Sequence, residues 1–333
     1  MHWTEWAAGG LALLLLLVGP GATTVGQSLN ESAAQPSPGI AARLQRDEQD
    51  LDITVYVDGK NVSMKLEEYV VGVVAAEMPA AYPVEALKAQ SIAARTLVYK
   101  QLRANGGSGC ARHGGADVCA NFGHCQAFLD GEAMKVNWGA QYQTYRDKIA
   151  GAVEGTRGLI LTYEDQPITV FYHSMSVGRT EEVQTVFAES LPYYRSVSSA
   201  ADPSLEKYEA TMQLGRAEAA ALLNDACPGA GLTAQNIAGT FKILSQTEAG
   251  RVDQVQVGDK RLNGVAVRRA LSLNSTDFTL AFTDEQVLIT THGSGHGVGM
   301  SQVGARMMAE EGAGYRAILS HYYPGTEILE MNV

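Results

Sequence analysis

Apolar and polar positions alternate through Leu51, Ile53, Val55 and Val57, the period of a half-buried strand. Asp58-Gly59 is a two-residue hairpin signal, and Val62, Met64 and Leu66 resume the alternation. The period then lengthens. Leu66, Tyr69, Val70, Val73 and Val74 share one helical face, and Met78-Pro79 ends that helix because the residue before proline is pushed out of the helical region. Tyr82-Pro83 opens a second helix, with proline in its first turn, running to about Arg103. Its Ala86, Ala89, Ser91, Ala93 and Ala94 permit close packing against a neighbour. Asn105 to Gly123 reads as a glycine-rich loop, Gly131 to Ala152 as a helix, and Leu159–Tyr163 with Ile168–Tyr172 as a hairpin around Glu164 to Pro167. A separate pattern follows: a helix near Arg216 to Asn224, strands near Phe241 to Leu244 and Val252 to Val257, a short helix near Val265 to Leu271, and a strand through Phe278, Leu280 and Phe282. Val287 to Thr290 is expected to return to the main sheet, before a glycine-rich loop, a helix from Ser301 to Glu311 and a last strand near Ile328. Without strict strand–helix–strand alternation the class is α+β. The expected organisation is a mixed sheet-and-helix main lobe of residues 51–197 and 284–333, with a smaller α/β lobe, 198–283, inserted between its halves.

The first residues carry a different signal. No charged residue occurs from Ala7 to Val25, nineteen positions, enough to span a bilayer. A cleaved signal peptide competes with a membrane anchor over residues 1–26, since Gly19-Pro20-Gly21-Ala22 could be a cleavage region. Either reading exports the rest of the chain. Residues 27–50 contain no aromatic side chain, are rich in Ser, Ala, Gln and Pro, and read as a tether. The formal net charge of −11 argues against nucleic acid as a partner, because the field repels phosphates, and leaves neutral polymers such as sugars open.

Glu77 follows Val70 by seven residues and Val73 by four, so it projects from the apolar face of its helix at the C-terminal end. The helix dipole and the apolar surroundings both disfavour its ionised form and raise its pKa, as a general acid near neutral pH requires. The bland alternative is a solvated carboxylate at a frayed helix end. Lys88 and Arg95, seven residues apart, share a face of the next helix and could hold a carboxylate or substrate oxygen, or could be surface charges. Three of the four cysteines, Cys110, Cys119 and Cys125, fall within sixteen residues, and His113 and His124 lie among them. Two thiolates and two imidazoles make a tetrahedral zinc set. An exported location favours a disulfide instead, and spacing alone leaves the two equal. Phe171-Tyr172-His173-Ser174 closes a strand with groups that line a cleft or make structural hydrogen bonds. In Gly293-Ser294-Gly295-His296-Gly297-Val298-Gly299-Met300-Ser301-Gln302 the glycines do not fit dinucleotide spacing and no Walker lysine follows, so backbone approach to a polar ligand is the better reading.

Taken in order, five segments resemble the SpoIID (stage II sporulation protein D) family of lytic transglycosylases: Glu68-Tyr69-Val70 through Ala75-Ala76-Glu77-Met78-Pro79; Leu87-Lys88-Ala89-Gln90-Ser91 with Ala94-Arg95-Thr96; Phe171 to Ser174; Gly295 to Gln302; and His321-Tyr322-Tyr323-Pro324-Gly325-Thr326. The resemblance implies that Glu77 is the catalytic acid and base. It also implies that Lys88, Arg95, Tyr172, His173, Ser174, His296 and Gln302 line the substrate cleft. Zinc-binding members use a His-x5-Cys-x4-His-Cys spacing, which His113, Cys119, His124 and Cys125 reproduce, so the resemblance favours a structural zinc over a disulfide. It gives Cys110 no role. Val177 and Val303 depart from the family pattern and bear on fine substrate contacts. The implied substrate is peptidoglycan glycan already stripped of stem peptides. The implied partners are a sporulation amidase (SpoIIP-like) and a membrane scaffold (SpoIIM-like) in the septal space of the sporangium. A zinc amidase and a non-catalytic glycan-binding module are the rival functions.

Overall fold

The computed structural model describes residues 50–187 and 189–331. The expected membrane segment, and all of the tether but Asp50, lie outside the described residues. Among the described residues no helix is long and apolar enough to cross a membrane.

Strands β1 (Asp52–Val57) and β2 (Lys60–Lys65) pair antiparallel in the expected hairpin, which turns through Asp58 at φ 49° and Gly59 at φ 81°. Helix α1 (Leu66–Glu77) follows without a break and buries Leu66, Tyr69, Val70, Val73 and Val74 completely. Helix α2 (Val84–Gln101) is the axis of the main body. It packs against α1, against α4 (Tyr142–Glu154), and against the helices Gln302–Glu310 and Tyr315–Tyr322. A helix enclosed on this many sides needs small residues, which accounts for the fully buried Ala86, Ala89, Ala93 and Ala94. The single helix expected over 131–152 is two, α3 (Gly131–Trp138) and α4, because Gly139 adopts φ 49° and ψ −122° and turns the chain.

The hairpin after α4 is tighter than expected. Glu164 and Asp165 take positive φ and make the turn alone, so Gln166 and Pro167 pair back onto Tyr163 and Thr162. The strand Glu327–Glu330 covers the other edge of Leu159–Tyr163. Tyr172–His173 leaves this sheet and runs parallel to Met300–Ser301.

A second hydrophobic cluster belongs to the inserted lobe. The helices Arg216–Ala226 and Gly264–Ala270 pack there with a three-stranded sheet of Phe241–Gln246, Val252–Val257 and Lys260–Asn263. The expectation that Val287 to Thr290 rejoins the main sheet is corrected here. Gln286–His292 is the central strand of a sheet between Phe278–Phe282 and Glu209–Gly215, and its Val287 and Ile289 are buried in the second cluster. Glu209–Gly215 supplies the partner that the sequence reading lacked. The fold is α+β, mixed helix and sheet in both clusters.

Candidate active site

Glu77 ends α1 half-buried, and two donors hold its carboxylate. The Ala127 N–H donates to Oε1 at 3.0 Å, and the Gln302 amide donates to Oε2 at 3.2 Å. Burial pushes the carboxyl pKa above the ordinary glutamate value, while the Ala127 and Gln302 donors pull it part of the way back. Each donor arrives from a distant element. Gln302 opens the Gln302–Glu310 helix, where Ser301 caps the first turn by accepting the Gly304 N–H at 3.1 Å. Ala127 lies in the loop before α3. That loop is laid along α1 by the Leu129 N–H, which donates to Gly72 O at 3.1 Å, and by Phe128 stacked on Tyr69 with centroids 5.4 Å apart. Gly72 has to be glycine, since a Cβ there would stand 2.7 Å from Leu129 O and overlap the Phe128 ring.

Beside the carboxylate the Tyr172 hydroxyl donates to Gln126 Oε1 at 2.8 Å. Burial, and then the neighbouring Glu77, hold that phenol well above its usual pKa, so it stays a neutral donor. Buried Gln90 and Tyr69 complete this polar layer. Gln90, Gln126, Ala127 and Tyr69 were not singled out as site residues from sequence. A glutamine beside a cysteine in a loop carries no periodic signal.

The other expected cleft residues divide. Ser174 accepts a 2.7 Å hydrogen bond from the Lys207 ammonium, and its carbonyl accepts the Val303 N–H at 3.0 Å, one residue from Gln302. Lys207 was also missed, since it stands in a short turn, Glu206–Tyr208, with no pattern around it. His173 is buried, and its Nδ1–H donates to Val298 O at 3.1 Å. Its Nε2 accepts from Ser176 Oγ at 2.6 Å, and Ser176 in turn accepts from Arg251 Nη2 of the inserted lobe at 3.2 Å. Burial, His296 and Arg251 push the His173 pKa well below the usual value, and burial with Arg268 and Arg251 takes His296 down to about 3. Both imidazoles are therefore neutral. His296 rests among Phe171, Phe187 and His173, and its Nδ1 accepts the Val298 N–H at 3.1 Å. The glycines around it allow this closeness. Gly295 has φ 106°, and a Cβ there would come within 2.7 Å of His173. This histidine pair ties the inserted lobe to the main body.

The placement of Lys88 and Arg95 differs from the expected cleft contacts. Arg95 is fully buried, and its guanidinium forks onto Glu67 at 2.8 and 2.5 Å while also donating to Leu159 O at 3.1 Å and Val153 O at 3.3 Å. Glu67 is in the first turn of α1, at the opposite end from Glu77. Lys88 pairs with Glu85 at 2.7 Å and lies over the Tyr315 ring. Arg95 therefore faces the first turn of α1 and the end of α4, and Lys88 faces Glu85 and the helix that Tyr315 opens.

The thiol cluster is likewise revised. The ligand atoms of Cys110, Cys119, His124 and Cys125 lie within 4.8 Å of one another. His124 Nδ1 is 3.5 Å from Cys110 Sγ and 3.3 Å from each of the sulfurs of Cys119 and Cys125. Bonds of about 2.3 Å to sulfur and 2.0 Å to nitrogen in a tetrahedron set an N···S edge of about 3.5 Å, so this Cys3His group could hold a metal. His113 is not part of it. Its ring stacks on Tyr56 with centroids 3.6 Å apart, and Cys110 occupies the fourth corner. The cysteines form no disulfide. The Asn121–Ala127 turn therefore links this cluster to the donor that holds Glu77.

An α+β body with a half-buried, doubly hydrogen-bonded glutamate at the C-terminal end of α1 defines the class. Residues 59–163 match the family model for SpoIID, described as stage II sporulation protein. The chain is 39% identical over 268 residues to stage II sporulation protein D of Bacillus subtilis (strain 168), covering 80% of this chain and 75% of that protein. The stage II sporulation protein D of Bacillus amyloliquefaciens matches with the same identity and coverage. The amidase enhancer of Bacillus subtilis is 26% identical over 304 residues, covering 77% of this chain and 40% of that protein. The chain belongs to the SpoIID family of sporulation proteins.

Proposed function

We propose that this protein is a lytic transglycosylase that cuts peptidoglycan glycan strands at the bond following N-acetylmuramic acid, with Glu77 as the sole acid and base. The observation that carries the reading is a carboxylate held by neutral donors. Burial raises the pKa of Glu77, the Ala127 N–H and the Gln302 amide oppose that shift, and among the described residues its hydrogen-bond partners include no second carboxylate. Hydrolytic glycosidases place a partner carboxyl about 5–5.5 or 6.5–9.5 Å away to attack carbon or activate water. A transglycosylase needs neither, because the 6-hydroxyl of the same sugar attacks C1 and closes a 1,6-anhydro ring. Glu77 first protonates the departing glycosidic oxygen and then takes the proton of that hydroxyl. Gln302 and the Ala127 N–H stabilise the carboxylate formed between the two steps, and neutral Tyr172 donates into the same pocket.

The Cys3His group binds zinc in a structural role. Four protein ligands leave no position for water, which argues against a zinc amidase. Zinc there fixes the turn that presents Ala127. The substrate is glycan freed of its stem peptides. The protein acts outside the cytoplasm, held at the membrane by its N-terminal segment, beside a sporulation amidase and a membrane scaffold.

Glu77→Gln keeps size and polarity and cannot transfer the proton, so cleavage is abolished while strand binding persists. Digestion of stripped strands in labelled water gives fragments one water lighter than hydrolysis products and free of solvent label. Solvent-labelled reducing ends would sink the transglycosylase assignment, and activity of Glu77→Gln within a few-fold of wild type would sink the role of Glu77.

A further inference from the structure

Lys207 is half-buried, and its ammonium donates to Ser174 Oγ at 2.7 Å. Lys65, Lys88 and Lys135 each lie against a carboxylate, Asp52, Glu85 and Glu132 respectively. Among the described residues Lys207 has no such partner. The charge it feels is a second cation, Arg306, which is already engaged with Asp202 and, more loosely at 3.6 Å, Glu310. Burial and Arg306 both hold the Lys207 pKa below the ordinary lysine value. A desolvated ammonium without a counter-ion is unfavourable, and a protein tolerates one where a ligand supplies the opposite charge. The place is also specific. Ser174 accepts the Val303 N–H, and neighbouring Gln302 holds Glu77, so Lys207 is joined through two hydrogen bonds to the residue next to the donor of that carboxylate. Against a net charge of −11, which repels anions at long range, a cation at this place acts at short range only.

We propose that Lys207 selects strands whose muramic acid carries a free lactyl carboxylate, binding that carboxylate while Glu77 works at the glycosidic oxygen of the same sugar. The proposal rests on the transglycosylase reading and gives a physical cause for a preference for stripped glycan. With a stem peptide attached, the lactyl carbon is a neutral amide that cannot neutralise the ammonium. Once the peptide is removed, the same carbon bears the one fixed negative charge of each disaccharide. The Ser174 hydroxyl holds the lysine head in place before substrate arrives.

The test uses the full-length chain carrying Glu77→Gln, so that bound strands stay uncut, with and without Lys207→Gln. The probes are stripped glycan strands and the same strands with every lactyl carboxylate converted to its methylamide. The Glu77→Gln protein is expected to bind the free acid about tenfold more tightly than the methylamide, the worth of one charge-assisted hydrogen bond. Adding Lys207→Gln erases that ratio, and Lys207→Arg retains most of it. Lys207→Gln does not lower the melting temperature, because it removes an unpaired cation. Equal affinity of the Glu77→Gln protein for both probes, no binding to either, or a preference that survives Lys207→Gln overturns the proposal. Reducing ends carrying solvent label would overturn the transglycosylase reaction instead, since the affinity ratio is measured on uncut strands.

Discussion

Glu77 stands between opposed influences, and each can be moved separately. Burial favours its protonated form, and Gln302 favours the ionised one. The first step of the proposed reaction needs the proton on Glu77, so kcat/KM is expected to fall as pH rises through its pKa. Gln302→Ala removes a donor to the carboxylate and raises that pKa further. The alkaline limb of the pH–kcat/KM profile therefore moves to higher pH, and a shift to lower pH would contradict the assigned role of Gln302. Arg95 shows the opposite use of charge. Arg95→Met leaves Glu67 buried without its guanidinium partner and costs about 3–5 kcal/mol in urea unfolding. In folded protein, below the transition, it leaves the pH limb set by Glu77 unchanged. The position of Glu77 was legible because it continues the apolar face of α1. The burial of Arg95 was not, because spacing shows that two cations share a face and says nothing about what that face meets. Here it meets the first turn of α1 and the end of α4.

At the scale of the element, the loop between α2 and α3 carries most of what spacing could not decide. Its histidines and cysteines match a zinc-binding pattern in order, yet the stacking of His113 on Tyr56 and the inward position of Cys110 exchange one ligand for another. The expected outcome follows from the geometry. Cys110→Ser loses the bound zinc and lowers the melting temperature, whereas His113→Ala retains one zinc per chain, both measured by elemental analysis and thermal unfolding. Metal loss in His113→Ala with retention in Cys110→Ser would restore the original set. The loop was readable as a metal or disulfide site because thiols and imidazoles cluster within a few residues. Its second task, presenting the Ala127 N–H to Glu77, depends on Phe128 reaching Tyr69 and on Gly72 leaving room, and neither has a local sequence signature.

On the scale of the whole molecule, Tyr172–His173 runs parallel to Met300–Ser301, and beside it Arg251 donates to Ser176, which donates to His173. The change of pattern after residue 197 was legible in the sequence. The sheet to which Gln286–His292 belongs was not, because its alternation suits either one, and only the partner Glu209–Gly215 settles the choice. That parallel pairing also imposes an order in time. Glu77 and Gln302 are 225 positions apart, and Gln302 is residue 302 of 333. A chain emerging from its N-terminus can form β1, β2, α1 and α2 from neighbouring residues long before its carboxylate meets that partner. The long closure then joins in a single late event. A nascent or clipped chain that ends before Gln302 lacks one of the two donors that hold Glu77, so the proposed activity arises only once the chain has been made and folded through that residue.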